Sequence, residues 1–240
     1  GYDHFQFDIT GFLNEAEKHH VDVLYSHAVK SISKENEVFH LETSQGDFSS
    51  KKVLIATGSN PKIWKLLEDL RHTISQPVPS LFTFNIKDER IQDIPGVVAQ
   101  HVEVKILETD LWSEGPLLIT HWGVSAPSIL KLSAFGALEL AKRDYKFQIE
   151  INFIKKSFEE CLGILKTLKQ DLAKNTVFKS TQFELPKRLW HKLVLASNMD
   201  EETRWADLNK SQLEDLSSQL TKAVFQVNGK STFKEEFVTA

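Results

Sequence analysis

An α+β fold is predicted for this 240-residue chain, and three observations predict it. Val53-Leu54-Ile55-Ala56 is a run of apolar β-formers that ends abruptly in Thr57-Gly58, the pattern of a buried parallel strand bringing its backbone close to a ligand. Residues 80–122 and 147–153 carry further strand patterns, with Phe147, Ile149, Ile151 and Phe153 in strict alternation. From residue 157 to about 223, helical periods dominate, punctuated by Pro186.

The elements follow in order. Phe5, Ile9, Phe12, Leu13 and Ala16 fall near helical spacing, which predicts an amphipathic helix over 6–19. Residues 21–25 alternate as a strand. Two more strands are expected at 28–33 and 37–43, joined by the polar turn at 34–36; a turn at 45–47 then leads toward the strand at 53–57. Ser59-Asn60-Pro61 breaks the chain before a mildly helical stretch at 62–71. Pro77 and Pro79 hold their predecessors extended and mark a boundary. Strands are expected within 81–86, 97–107 and 116–120. Ser125 suits a helix N-cap and Pro127 a first turn, so a helix is predicted through about residue 141. Near the far end, residues 224–227 and 236–239 read as strands around Asn228-Gly229, a turn dipeptide.

Composition narrows the function classes. The formal net charge is −4 and basic residues are dispersed, so neither nucleic acid nor an anionic membrane is an expected partner. Apolar runs fall well short of the ~20 residues that span a bilayer. The single cysteine, Cys161, excludes an internal disulfide and any multi-thiolate metal site, and a cytoplasmic setting is expected. The chain begins at Gly1, its one methionine is Met199, and Phe237-Val238-Thr239-Ala240 reads like a strand cut midway; a piece of a longer protein is the expectation.

Two stretches offer chemistry. The backbone at Thr57-Gly58 could lie against a dinucleotide where no side chain intrudes; the plainer alternative is a strand ending in a turn. In Thr120-His121-Trp122-Gly123-Val124-Ser125-Ala126-Pro127, a histidine precedes a glycine-permitted turn and a helix start. His121 could donate to an anion or act as an acid/base near neutral pH, or it could simply satisfy a backbone carbonyl. The other histidines lack the paired spacing of a zinc helix, so no metal site is expected. Cys161 reads as a buried thiol beside Phe158, Leu162 and Leu165.

The order of these motifs resembles the BaiN/YhiN family of bacterial FAD-dependent flavoproteins. Val53-Leu54-Ile55-Ala56-Thr57-Gly58 is similar to the family's second nucleotide-proximal strand. His72-Thr73-Ile74 with Pro79-Ser80-Leu81 looks like its entry to an inserted domain. Thr120-His121-x-Gly123-x-Ser125-Ala126-Pro127-x-Ile129-Leu130 resembles its Thr-His-x-Gly-x-Ser-Gly-Pro-x-Ile-Leu signature, and Leu185-Pro186-Lys187-Arg188-Leu189 also fits.

The resemblance implies a partial FAD-binding, Rossmann-like sheet from 1–76 and 223–240. It would be interrupted by a β-rich, barrel-like domain at 77–155 and a helical part at 156–222. It places the Val29 backbone beside adenine, Thr57 and Gly58 near the pyrophosphate, and His121 and Ser125 toward the flavin or substrate. The implied activity is hydride transfer between a small-molecule substrate and FAD, with NAD(P)H as a further option. The family's glycine-rich fingerprint is not in this chain, so the chain alone is expected neither to hold FAD tightly nor to turn over. The competing class is a non-catalytic module that binds a ligand or partner and keeps the fold without redox chemistry. Ala126 stands where the family has glycine; a positive φ there would cost about 1 kcal/mol or more.

Overall fold

The computed structural model describes residues 9–231. The chain separates into two compact units, residues 1–76 and 77–240.

In the first unit, helix α1 (Ile9–Lys18) buries none of its side chains. A three-stranded antiparallel meander follows: β1 (Val29–Glu35), β2 (Val38–Thr43) and β3 (Gly46–Ser50), in that spatial order. Asn36 and Glu37 both take positive φ, 44° and 65°, as a two-residue hairpin turn requires. Helix α2 (Pro61–Asp69) starts where Asn60 accepts from the Lys62 N–H at 3.1 Å and Pro61 occupies the first turn, where it forfeits no bond.

Two expected strands are absent. Residues 21–25 and 53–57 pair with no described strand, and Leu54 is 91% exposed. An apolar run becomes a strand only where a neighbour takes its N–H and C=O groups, and no described strand lies beside either segment. The three strands that do form run antiparallel, so the expected Rossmann-like parallel sheet is not made among the described residues.

The second unit is a closed six-stranded barrel. Its strands are β4 (Thr83–Ile86), β5 (Val98–Ile106), β6 (Trp112–Ile119), β7 (Gly123–Ser125), β8 (Lys146–Asn152) and β9 (Ala223–Ser231), in the order β4-β7-β6-β5-β8-β9. Every pairing is antiparallel. Alternation places one face of each strand inward. Phe147, Ile149 and Ile151 of β8 stand opposite Val227, Phe225 and Ala223 of β9, and all six are buried. Phe84 meets Phe147 edge-on at 5.1 Å.

Residues 223–231 therefore belong to the barrel and not to the first unit, because β9 is the stave between β8 and β4. Asn228-Gly229 makes no turn. Between Phe84↔Lys230 and Ile86↔Val227 the β9 strand carries one residue more than β4, so the dipeptide serves a bulge. The strand expected at 236–239 lies outside the described residues.

Helices α3 (Pro127–Phe135) and α4 (Ala137–Lys142) replace the single helix expected through residue 141; Gly136 separates them. Ser125 is not the N-cap. It is the last residue of β7, and Ala126 occupies the cap with φ 81° and ψ 176° and no side-chain bond. Helix α3 lies close on β6 through small hydroxyls. Ser113 Oγ donates to the Ser128 carbonyl, and Ser128 Oγ donates to the Pro116 carbonyl at 2.8 Å. Helices α5 (Phe158–Asp171), α6 (Lys187–Leu195) and α7 (Lys210–Thr221) complete the unit, with a 3-10 turn at Trp205–Asp207. Both α5 and α7 open with capping boxes, Ser157 with Glu160 and Asn209 with Gln212. Leu165, Trp190, Leu216 and Trp205 join the barrel residues in one continuous core. No described helix is long and apolar enough to cross a membrane.

Candidate functional site

The β6–β7 turn is tightly built. Thr120 donates its N–H to the Gly123 carbonyl at 2.8 Å, and its hydroxyl accepts from the N–H groups of Trp122 and Gly123. Gly123 has φ 153°, and a Cβ placed there would stand 2.1 Å from the Phe84 carbonyl oxygen and 2.6 Å from the Ile86 nitrogen. Only glycine lets β7 lie this close to β4. Ile86 also donates to the Trp122 carbonyl at 2.9 Å. The exposed His121 at the tip of this hydrogen-bonded turn lines a cleft of about 550 Å³.

The cleft is lined on its other sides by the segment after β4, including Lys87, Asp88 and Asp93, and by Arg188 from the first turn of α6. Asp88 is committed to Arg90. Its Oδ1 accepts from the Arg90 backbone N–H and Nε at 2.9 and 2.8 Å, and its Oδ2 accepts from Nη2 at 2.7 Å. Burial pushes the Asp88 carboxyl upward, but the Arg90 hydrogen bonds and charge outweigh it and leave the group below its ordinary range. Arg90 also lies 3.8 Å over the Phe225 ring and donates to the Val224 carbonyl, pinning this segment to β9. Arg188 Nη2 donates to the Asp93 carbonyl at 2.8 Å.

The expected site residues fall in different surroundings. His121 lines the cleft. Ser125, four residues on, is buried and accepts from the Thr83 hydroxyl at 3.1 Å; it does not line the cleft. In the first unit, Val29 opens β1, while Thr57 and Gly58 stand exposed in the unpaired segment. Lys87 and Arg188 were missed by sequence reasoning. Arg188 had a readable signal, since Lys187 and Arg188 follow Pro186 at the start of a helix, the end that disfavours cations. Lys87 had none.

Cys161 is fully buried, and burial pushes its thiol up to about 11, so it is no nucleophile. Among the described residues no group of three or more His, Cys, Asp or Glu side chains could hold a metal ion. A second, larger cavity of about 740 Å³ lies outside β5 and β8 beside Trp112 and Phe158, with lysines and carboxylates interspersed.

A closed barrel joined through one core to a helical bundle is the architecture of an HI0933-like protein barrel and H2TH domain, and the model of that domain matches residues 78–238. The chain belongs to this family, the BaiN/YhiN/HI0933 flavoproteins. No curated protein matches the chain.

The residues present fit a flavin in part. Gly58 has φ 60°, and the space a Cβ would occupy is open, as the close approach of a ligand to backbone requires. Yet Thr57 and Gly58 line none of the cavities described above, and no described strand supports them.

Proposed function

We propose that the protein is the barrel-bearing part of a flavin-dependent oxidoreductase that passes hydride between a small-molecule substrate and FAD, with NAD(P)H as a further reductant. The observation that carries this reading is the family match, which spans the barrel and helices and includes the His121 turn. Flavin supplies hydride chemistry when bound, and the protein supplies position and proton handling.

On this reading His121 gives or takes a proton at its imidazole as substrate charge changes. Thr120 and Gly123 brace the turn that carries His121. Ser125, tied to Thr83, is a positioning residue that anchors β7 and through it the turn. Val29, Thr57 and Gly58 offer backbone to the nucleotide end of FAD. The exposed state of Thr57 and Gly58 favours the second reading, a module that binds a ligand or partner without redox chemistry.

The complete gene product decides between them. The oxidoreductase reading expects a yellow protein absorbing near about 450 nm, with roughly one flavin per chain, bleached anaerobically by NADH or NADPH. A colourless product that stays colourless after incubation with FAD supports the module. In a flavin-bearing product, His121→Asn is expected to slow one half-reaction by about 10²-fold or more; unchanged rates in both half-reactions make His121 structural.

A further inference from the structure

The cleft beside His121 is lined by two cations, Lys87 and Arg188, and two carboxylates, Asp88 and Asp93, in a chain whose net charge is −4. Lys87 and Arg188 both line it, and neither takes part in an ion pair among the described residues, in contrast to Arg90, Arg143 and Lys155. Of the two carboxylates in the lining, Asp88 has both oxygens occupied by Arg90, which cancels its charge. Asp93 is the other: its carboxylate keeps its charge in the lining, so with Arg90 offsetting Asp88 the two cations exceed it by one, and its backbone carbonyl accepts from Arg188. That bond uses one guanidinium N–H and orients the group, leaving the remaining N–H donors for a planar acceptor.

The surrounding backbone works in the same direction. The first turn of α6 holds Lys187 and Arg188 with no acidic residue and no side-chain cap. Cations at that end are opposed by the helix dipole, an opposition that a bound anion offsets. The cleft's volume of about 550 Å³ suits a small molecule.

We propose that the cleft binds a small organic anion, a carboxylate or phosphate group seated between Lys87 and Arg188 with His121 beside it. Calling that anion the substrate rests on the oxidoreductase reading; its binding does not. Lys87 and Arg188 are binding residues that fix the charged end, and His121 faces the remainder of the molecule.

The test uses the full chain with histidine rings labelled for NMR, the His121 signal being assigned by its loss in His121→Gln. Sodium phosphate and sodium succinate are titrated separately, with ionic strength held by sodium chloride. A saturable change in the His121 ring signals at fixed pH is expected with at least one probe, and which probe acts tells phosphate from carboxylate. Binding should weaken about tenfold or more in Lys87→Ala/Arg188→Ala. Lys105→Ala, at the second cavity, should bind as the parent does. The proposal is overturned if neither probe gives a saturable change, or if the double variant binds as tightly as the parent. Flavin plays no part in the titration. Anion binding by a colourless complete protein would therefore sink the oxidoreductase reading alone, and a true flavoprotein whose His121 ignores both anions would sink this one alone.

Discussion

Ala126 shows how much one methyl group matters. With φ 81° and ψ 176° it holds a backbone conformation that is essentially reserved for glycine. It persists because both neighbours are fixed, Ser125 by Thr83 and Pro127 by its ring and the start of α3. Ala126→Gly is therefore expected to stabilise the second unit by about 1 kcal/mol, read as a higher urea midpoint at unchanged slope. A lower midpoint would mean that the methyl contributes packing exceeding the strain. This position was legible in the sequence, because the motif itself asks for glycine there. Lys87 was not, since nothing local in Ile86-Lys87-Asp88 announces that β4 will end beside α6.

Among elements, the segment that follows β4 and helix α6 carry the acid sensitivity. Asp88 is lowered in the folded state, so its contribution is full at neutral pH and is lost as pH falls below about 4, through the folded value. His191 of α6 stacks on Phe178 with centroids 3.6 Å apart, and its Nε2 is buried without a partner. Burial, with Lys187 nearby, lowers its affinity for a proton. The native state thus favours neutral imidazole, and stability falls as pH drops from about 6.5 through the folded value. Urea midpoints should decline in two steps on acidification, and His191→Gln should flatten the upper one; an unaltered upper step would clear His191. Arg90→Ala should cost about 2–3 kcal/mol at pH 7, since it strands Asp88 and uncovers Phe225. Strand β8 was readable because half-buried antiparallel strands alternate openly. Residues 53–57 misled because an apolar run states what it would bury and not which neighbour it has.

At the scale of the molecule, the two units differ in what they bury. Of the described residues in the first unit, Ile32 is the one hydrophobic side chain in the buried class, whereas the core of the second runs from Phe82 to Val227. Local opening should follow that difference. Amide exchange is expected to be orders of magnitude faster across residues 9–76 than at Val104, Ile149 and Phe225, and brief trypsin treatment should leave a resistant core beginning near Pro77. Equal protection in both units would contradict this. The family resemblance implied a barrel, but the strand that closes it was hidden from the sequence, because Thr83 and Ser231 come together through pairing that no local pattern encodes.

The position of β9 also sets a timetable for synthesis. Emerging from the ribosome, the nascent chain offers β4 through β8 in turn, then three helices, before the stave that seals the cylinder arrives. Until then β4 and β8 are open edges, and open edges recruit strands from other polypeptides. A pause in translation ahead of Ala223 would thus leave a molecule with most of its core and a seam ready for aggregation.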